Sequence, residues 1–223
     1  YDCVNNNSEI YHEKQRFWLC GKHTLNNLFQ CQLFTRSKLD EIAIKLTQDS
    51  ISSGVNGSSN SYIEYVKNIY NSCFNQHKSI FGLGNYDVNV LQAALEEHDL
   101  ETQWFDSRKD IRTLIQFNDK TLFGLILNVM QTKFYFWKSN HWFAIKPMFD
   151  NINNNNGDDV SDGDEYATNK LLLEDATVWN LDSKLSKPHK FLNSEEAYRF
   201  LEINVYHKNS QLIIVKSKLK DLG

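Results

Sequence analysis

The chain of 223 residues lacks long apolar runs, and it contains only two prolines and four cysteines. No segment approaches the roughly 20 consecutive apolar residues that a membrane-spanning helix needs, and no signal peptide is recognisable. The cysteines form no C-x-x-C pair. Cys20 and His23 could supply two ligands of a zinc site, but the sequence offers no second Cys/His pair to complete it. We therefore expect no metal, no membrane span, and free thiols in the reducing environment of the cytoplasm or nucleus.

Positive charge is also in short supply. The 24 Lys and Arg residues are outnumbered by 28 Asp and Glu residues, which gives a formal net charge of −4. Because no basic stripe is interleaved with aromatic residues, the sequence does not indicate a nucleic-acid partner. Apolar residues make up 41% of the chain and charged residues 23%, which is typical of a globular protein that can bury a sizeable core.

Two polar segments interrupt the apolar pattern. Residues 48–61 are rich in Ser, Gly and Asn, a composition that predicts a flexible loop. Residues 148–169 are acidic and rich in Asn, with almost no apolar side chains. Such a segment cannot bury enough apolar surface to offset the entropy of ordering, so we predict a disordered insertion there.

The first half of the chain carries apolar residues at helical spacing. This spacing predicts four helices, over about 20–30, 37–48, 61–73 and 87–100. Ser37 stands at the N-cap position of the second helix. Because only the loop at 48–61 separates the second helix from the third, we expect the two to form a helical hairpin.

In the second half, short β-branched or aromatic runs bounded by polar turns replace the helical pattern. These runs are ETQWF, TLFGLILNVM, HWFAIKPM, ATVWNLDS and SQLIIVKS. Helices first and strands later are typical of an α+β domain, here with a mostly antiparallel sheet.

Cys20 stands at the predicted start of the first helix. There the backbone N–H groups and the helix macrodipole favour a thiolate, which is the nucleophilic form of cysteine. A nucleophilic thiolate still needs a base, and donors for an oxyanion. A cysteine with apolar neighbours is most often a plain core residue, so the rest of the chain has to supply these partners.

A candidate base and two candidate orienting residues lie far downstream. His141 heads the run HWFAIK, and the next run, WNLDS, carries Asn180 and Asp182. If the two runs are adjacent antiparallel strands, an amide or acid on the second can lie beside the imidazole on the first. Asn180 and Asp182 point to the same face of a strand, so spacing alone does not decide which of them orients the ring.

Two residues near Cys20 complete the candidate set. Gln15 lies in the loop that leads to the helix, from which its amide can donate to an oxyanion together with the Cys20 N–H. His23 lies one helical turn after Cys20 and competes with His141 as the base. The ordered set of Gln, Cys, His and Asn or Asp is expected of a papain-like cysteine hydrolase, although each member alone is more often structural.

Four ordered motifs carry a family resemblance. The opening motif combines H-E-K-Q at 12–15, L-C at 19–20 and H-T-L-N-N at 23–27. The other three motifs are GNYDVNVLQAALEEHDLETQWFD, NHWFAIK and WNLDSKL. Together they resemble the Josephin family of deubiquitinating cysteine proteases, which includes ataxin-3 and the Josephin proteins. The resemblance covers roughly residues 9–216, interrupted by the acidic insertion, and implies one catalytic domain of that extent.

The resemblance also implies a role for each candidate residue. It assigns Cys20 as the nucleophile, His141 as the general base and acid, and Gln15 as the oxyanion donor. It places the orienting third residue at Asp182, where some family members have Asn, and it matches Asn180 to the family's preceding Asn.

The resemblance also implies a fold and a set of partners. The fold is papain-like α+β, with an N-terminal helical region, a protruding helical hairpin and a mostly antiparallel sheet. The partners are ubiquitin, polyubiquitin and ubiquitinated proteins, and we expect a monomer without a cofactor. The alternatives are a catalytically weak or inactive ubiquitin-binding module, and a different thiol hydrolase or acyltransferase on the same architecture. As an extended hairpin loop, the insertion at 148–169 is expected at the end of the sheet far from the site.

Overall fold

The computed structural model describes residues 9–53, 86–133, 137–149 and 176–218. Its helices are α1 (Cys20–Phe29), α2 (Arg36–Ser53), α3 (Val88–Glu96), α4 (Ile111–Leu114) and α5 (Ser194–Glu202), and α5 continues as a π-helix (Ile203–His207). Its strands are β1 (Leu100–Trp104), β2 (Leu122–Lys133), β3 (Trp137–Met148), β4 (Thr177–Asn180), β5 (His189–Lys190) and β6 (Gln211–Ser217).

The six strands form one sheet in the order β1-β6-β2-β3-β4-β5. Every neighbouring pair is antiparallel. Helices precede most of the strands along the chain, as the sequence predicts. The papain-like α+β class with an antiparallel sheet is therefore confirmed.

Each face of the sheet carries its own apolar core, because successive side chains of a strand point to opposite sides. On one face, Ile126 and Ala144 pack in a cluster with side chains of α1, α2 and α3. On the other face, Leu127 and Phe143 pack in a cluster with side chains of α4, α5 and the π-helix. The central strands are thus covered on both sides, and α1, which begins at Cys20, packs mainly against β3.

The second predicted helix differs from the observed one at both ends. Its first turn is capped by Thr35, whose Oγ1 accepts a hydrogen bond from the Lys38 N–H at 3.2 Å, so the expectation that Ser37 is the N-cap is wrong. The helix also continues to Ser53, into the segment predicted as a loop. Residues 48–53 contain neither Gly nor Pro, and the first such residue is Gly54, which explains why the helix does not stop earlier.

The predictions for α1 and α3 are confirmed, with α3 shorter than expected. The predicted helix at 61–73 lies outside the described residues, as does the predicted insertion from residue 150 onward. Helix α5 was not predicted, although its start carries a recognisable signal. The Asn193 side chain accepts a hydrogen bond from the Glu196 N–H at 2.9 Å, and an Asn followed three residues later by Glu is a capping pattern.

The cysteines depart from the expectation in one respect. Cys20 is a buried free thiol, whereas Cys31 is disulfide-bonded, so the expectation of free thiols is wrong for Cys31. Within the described part of the chain, no helix combines the length and apolar character needed to cross a membrane.

Gly124 allows α1 to approach the sheet. A Cβ at this position would lie 2.5 Å from Leu28 Cδ1 of α1 and 2.9 Å from the Ile145 carbonyl oxygen of β3. The pairing of β2 with β6 is also irregular between Leu122 and Gly124. A glycine inside a strand is typical of such an irregularity and of a close approach, so the distance between the Cys20 helix and β3 depends on the absence of a side chain here.

We predict that Gly124→Ala lowers the free energy of unfolding by about 1–3 kcal/mol, because the new methyl group forces α1 away from the sheet. Urea denaturation measures this change. Gly21→Ala is the matched control, since its Cβ would meet the end of the Leu91 side chain at 3.1 Å and the Tyr86 Cβ at 3.7 Å, an ordinary contact distance. We expect Gly21→Ala to change stability by less than about 1 kcal/mol. Equal effects of the two substitutions would contradict this account.

Candidate active site

Cys20 lies where the edge of β3 is left open by β4. The β3–β4 ladder covers only residues 145–148 of β3, so the edge of β3 at Trp142 lacks a β4 partner. The backbone N–H groups of Trp142 on β3 and of Gly21 at the start of α1 act on the Cys20 sulfur and lower the pKa of its thiol. Cys20 is only 3% exposed, and α1 packs against the strand that carries His141.

The ionisation of Cys20 is set by opposing effects. Burial raises the pKa of the thiol, and the N–H groups of Trp142 and Gly21 and the charge of Lys184 lower it. The net effect is a pKa above the ordinary value, so the neutral thiol is favoured in this state. The N–H groups at the helix start favour the thiolate, as expected, but the cost of burying the charge is larger.

His141 is oriented by Asp182. The imidazole is buried, and its Nε2 lies 2.7 Å from Asp182 Oδ1. The ring stacks on Phe143, with centroids 5.9 Å apart. The bond to the carboxylate favours the tautomer with the proton on Nε2, which leaves the lone pair on Nδ1.

The structure distinguishes the two orienting candidates that spacing left open. Asp182 contacts the His141 ring, and Asn180 does not. The Asn180 Oδ1 accepts a hydrogen bond from the Asp182 N–H at 3.0 Å, so Asn180 supports the backbone of Asp182. The Asp182 carboxylate is further fixed by the Lys184 N–H, which donates to Oδ1 at 2.8 Å.

The Cys20 sulfur and the His141 imidazole are related through β3. The Trp142 N–H that acts on the sulfur belongs to the residue next to His141. Among the hydrogen bonds of the described residues, none joins the thiol to the imidazole. Catalytic hydrogen bonds are often long or poorly aligned without substrate and form when substrate binds, so the missing bond does not by itself exclude His141 as the base.

Gln15 is anchored in the loop before α1. Its backbone N–H donates to the Ser183 carbonyl at 2.7 Å, and its Nε2 donates to the Phe17 carbonyl at 3.0 Å. Phe17 has a φ of 56°, a left-handed conformation that is uncommon for a bulky residue. One hydrogen of the Gln15 amide is engaged by this turn, and an amide nitrogen has a second.

His23, the rival base, is engaged at both ring nitrogens. Its Nδ1 lies 2.5 Å from Glu13 Oε2, and its Nε2 accepts a hydrogen bond from the Arg16 N–H at 3.1 Å. The ring is buried. His23 therefore fixes the loop before Cys20, and taking a proton from the sulfur would break one of these bonds.

Glu13 is the centre of this hydrogen-bond network. Besides His23, its carboxylate accepts bonds from Lys22 Nζ at 2.9 Å, from Tyr11 Oη at 2.7 Å and from Asn26 Nδ2 at 2.8 Å. Burial alone would raise the pKa of Glu13, but the bonds from His23, Lys22 and Tyr11 lower it to about 2. The carboxylate is thus ionised and ties the loop at 11–16 to α1.

Asn27 and His12 extend the network to the turn that carries Asp182. The Asn27 side chain donates to the Leu181 carbonyl at 2.9 Å and accepts a bond from the Glu13 N–H at 2.6 Å. The His12 Nε2 lies 2.9 Å from the Asp182 carbonyl oxygen. The H-E-K-Q and H-T-L-N-N motifs therefore act largely as a clamp between the Cys20 helix and the Asp182 turn, which the sequence did not reveal.

A surface groove lies apart from Cys20 and His141, and the described residues form no metal-binding group. A groove of about 510 Å³ lies between residues 185–191 and the helix α5 with its π-helical extension. It reaches Asn180 but includes neither Cys20 nor His141. In the described ranges of the chain, no three His, Cys, Asp or Glu side chains are grouped in a way that could bind a metal ion.

Comparison with known proteins agrees with this geometry. The family model described as Josephin matches residues 15–216. A Josephin-like protein of Drosophila melanogaster is 34% identical over 200 residues, covering 86% of this chain and 66% of the relative. Josephin-2 of Homo sapiens is 29% identical over 214 residues, covering 94% and 87%. A Josephin-like protein of Arabidopsis thaliana is 32% identical over 206 residues, covering 91% of this chain but only 46% of the relative.

We predict that Glu13→Gln lowers the free energy of unfolding at neutral pH by about 2 kcal/mol, because it weakens several charge-assisted bonds. The folded-state pKa of Glu13 is depressed from 4.5 to about 2. Its ionised form therefore contributes stability above pH 4.5, and this contribution is lost as the pH falls towards 2. With Glu13→Gln, the free energy of unfolding should therefore fall less between pH 4.5 and pH 2 than it does in the wild-type protein.

Urea denaturation at a series of pH values measures this effect. Glu101→Gln is the control, because Glu101 is exposed on β1, and we expect it to change stability by less than about 0.5 kcal/mol. If the free energy of unfolding of Glu13→Gln fell with pH as steeply as that of the wild-type protein across the acid range, Glu13 would not be the carboxylate responsible for this stability.

Proposed function

The chain belongs to the Josephin family, a family associated with deubiquitinating cysteine proteases, and from that premise we propose that it hydrolyses isopeptide and peptide bonds at the ubiquitin C-terminus. The observation that carries the proposal is the 2.7 Å bond between His141 Nε2 and Asp182 Oδ1, on the strand whose Trp142 N–H lowers the pKa of the buried Cys20 thiol. Ubiquitin, polyubiquitin and ubiquitinated proteins are then its partners, and the protein acts as a monomer.

The first step is activation of the nucleophile. Burial favours the neutral Cys20 thiol, so His141 has to accept the thiol proton at Nδ1 as the sulfur attacks. The resulting imidazolium is stabilised by the Asp182 carboxylate at Nε2, which also keeps the ring in the required tautomer.

The second step is acyl transfer to the sulfur. Attack on the carbonyl of the last ubiquitin glycine gives an oxyanion, which accepts hydrogen bonds from the Cys20 N–H and from the Gln15 amide. The Cys20 N–H is suitable because the first N–H groups of a helix have no intrahelical acceptor. His141 returns its proton to the leaving lysine amine, which leaves a thioester. Water, deprotonated by His141, then hydrolyses the thioester and releases ubiquitin.

Two observations favour a second candidate, a ubiquitin-binding module with weak or no activity. The raised pKa of Cys20 and the absence of a thiol–imidazole hydrogen bond among the described residues are both compatible with a slow enzyme. All four candidate residues are nevertheless present at the positions of the family's catalytic motifs, which a pure binding module does not require.

A ubiquitin probe with a C-terminal electrophile distinguishes these candidates. We expect a covalent adduct at Cys20 that is absent in Cys20→Ala, measured by mass spectrometry of the intact protein. Non-covalent binding without an adduct would favour the binding module. No engagement of the probe by the wild-type protein would favour a different thiol hydrolase.

We predict that His141→Ala lowers kcat/KM on a ubiquitin substrate by about 10³-fold or more, because it removes the base. Asp182→Ala should leave an activity at least about tenfold higher than His141→Ala, since an orienting group usually contributes less. His23→Ala should lower stability while the folded fraction keeps most of its kcat. If folded His23→Ala were as inactive as His141→Ala, the base would be wrongly assigned.

We predict that Gln15→Ala lowers kcat by about 10²-fold with little change in KM, because the amide contacts the oxyanion and not the bound ground state. Gln15→Glu is the matched control for size, and it should be at least as inactive because a carboxylate repels an oxyanion. Steady-state kinetics measures both. A change confined to KM would assign Gln15 to substrate binding.

A further inference from the structure

Phe17 has an unfavourable backbone conformation just before the Cys20 helix. Its φ is 56°, in the left-handed region where the Cβ of an ordinary residue lies too close to the backbone. The described ranges contain three other non-glycine residues with a positive φ. Asp99 and Asn209 are of types that tolerate this conformation, and Gln30 is the C-cap of α1, where a left-handed residue often ends a helix. Phe17 fits neither case, so its conformation needs another explanation.

The aromatic ring of Phe17 does not supply that explanation. The residue is 82% exposed, so packing of the ring offsets little of the free-energy cost of the turn. The backbone on either side is anchored instead. The Arg16 N–H donates to His23 Nε2 at 3.1 Å, and the His23 N–H donates to the Leu19 carbonyl at 3.1 Å. Since both ends of the turn are bound to His23, the chain between them is confined.

The carbonyl of Phe17 holds the Gln15 amide. Gln15 Nε2 donates to it at 3.0 Å, whereas Gln15 Oε1 is buried and has no hydrogen-bond partner. Among the described residues, the Gln15 side chain therefore has a single bond that orients it. Water readily replaces an exposed hydrogen bond of this kind when the acceptor turns away. Because the direction of a carbonyl follows from the backbone angles of its residue, the amide depends on the left-handed conformation of Phe17.

We propose that Phe17 is a positioning residue: its left-handed backbone presents its carbonyl to one hydrogen of the Gln15 amide, so that the second hydrogen keeps one direction for the oxyanion. An amide nitrogen carries two hydrogens, and a donor that is oriented in advance stabilises an oxyanion without reorganising during the reaction. This inference rests on the proposed function, in which Gln15 is the oxyanion donor. It explains why an exposed aromatic residue is held in a strained turn at this place.

The test compares Phe17→Ile with Phe17→Gly, which separate the backbone from the ring. Isoleucine keeps an apolar side chain but disfavours the left-handed conformation more strongly, because its Cβ is branched. Glycine lacks the ring but adopts the conformation freely. On ubiquitin with a C-terminal fluorogenic amide, we expect Phe17→Ile to lower kcat about three- to tenfold, with KM within about twofold of the wild-type value. The kcat of Phe17→Gly should be at least about twofold higher than that of Phe17→Ile.

Asn209→Ile controls for the loss of stability. Asn209 has a φ of 52°, is exposed and lies in the turn between the π-helix and β6. The substitution places the same branched side chain in the same conformation outside the candidate site. Both isoleucine variants should therefore unfold at a lower urea concentration than the wild-type protein, but Asn209→Ile should leave kcat unchanged.

Two kinetic results would overturn the inference. The first is a Phe17→Ile kcat within about twofold of the wild-type value, because the turn would then not position the amide. The second is a Phe17→Gly kcat as low as that of Phe17→Ile, or a loss confined to KM in both variants. Either form of the second result would assign the exposed ring, and not the backbone, to the reaction.

A second readout does not use ubiquitin. In a proton–nitrogen correlation NMR spectrum of the full chain, the Gln15 side-chain amide gives one pair of signals, identified by its loss in Gln15→Glu. The hydrogen bonded to the Phe17 carbonyl should have a shift that depends less on temperature than the shift of the other hydrogen. Phe17→Ile should remove this difference, and Asn209→Ile should not.

The two proposals can fail separately. If Phe17→Ile changes the amide signals of a protein that ignores the ubiquitin probe, the turn orients Gln15 and the proposed function is wrong. Conversely, if the wild-type protein hydrolyses the ubiquitin substrate but neither kcat nor the amide signals respond to Phe17→Ile, the proposed function stands and the inference about Phe17 is wrong.

Discussion

The short pairing of β4 with β3 is the constraint on which the candidate site depends. The two strands pair only from Ile145 opposite Asn180 to Met148 opposite Thr177. On the side of Ile145 towards His141, the Leu181 N–H still donates to the Ala144 carbonyl at 2.9 Å, but β4 pairs no further. Helix α1 packs against β3, and the Trp142 N–H lowers the pKa of the buried Cys20 thiol. Because β4 ends early, the Asp182 turn and the candidate nucleophile both lie along the part of β3 that carries His141.

The clamp around Glu13 joins α1 to the rest of the candidate site by hydrogen bonds. A buried carboxylate is tolerated only when it is paired and hydrogen-bonded, and Glu13 accepts bonds from side chains of both its own loop and α1. Asn27 then joins α1 to the Leu181 carbonyl. The network therefore sets the distance between the helix that carries Cys20 and the turn that carries Asp182.

The sequence was most informative where one local pattern determined the outcome. Apolar spacing located α1 and α3, and the strand runs located five of the six strands. Spacing alone could not choose between Asn180 and Asp182, because alternation along a strand treats them alike, and only the family resemblance pointed to Asp182. The structure separates them because β4 ends at Asn180 and the chain then turns, so Asp182 no longer follows the alternation. The clamp was inaccessible, since it joins residues far apart in the chain.

The same ladder explains how a long acidic segment can stand between His141 and Asp182 in the chain. The described ends of that connection, Met148 and Thr177, pair with each other. His141 lies seven residues before Met148 on β3, which is roughly 20 Å along an extended strand. The two residues of the site are therefore brought together by strand pairing near Ile145, and the entropy cost of bringing two ends of a chain together rises only slowly with the length between them. The length of the insertion can change without moving the imidazole relative to its carboxylate.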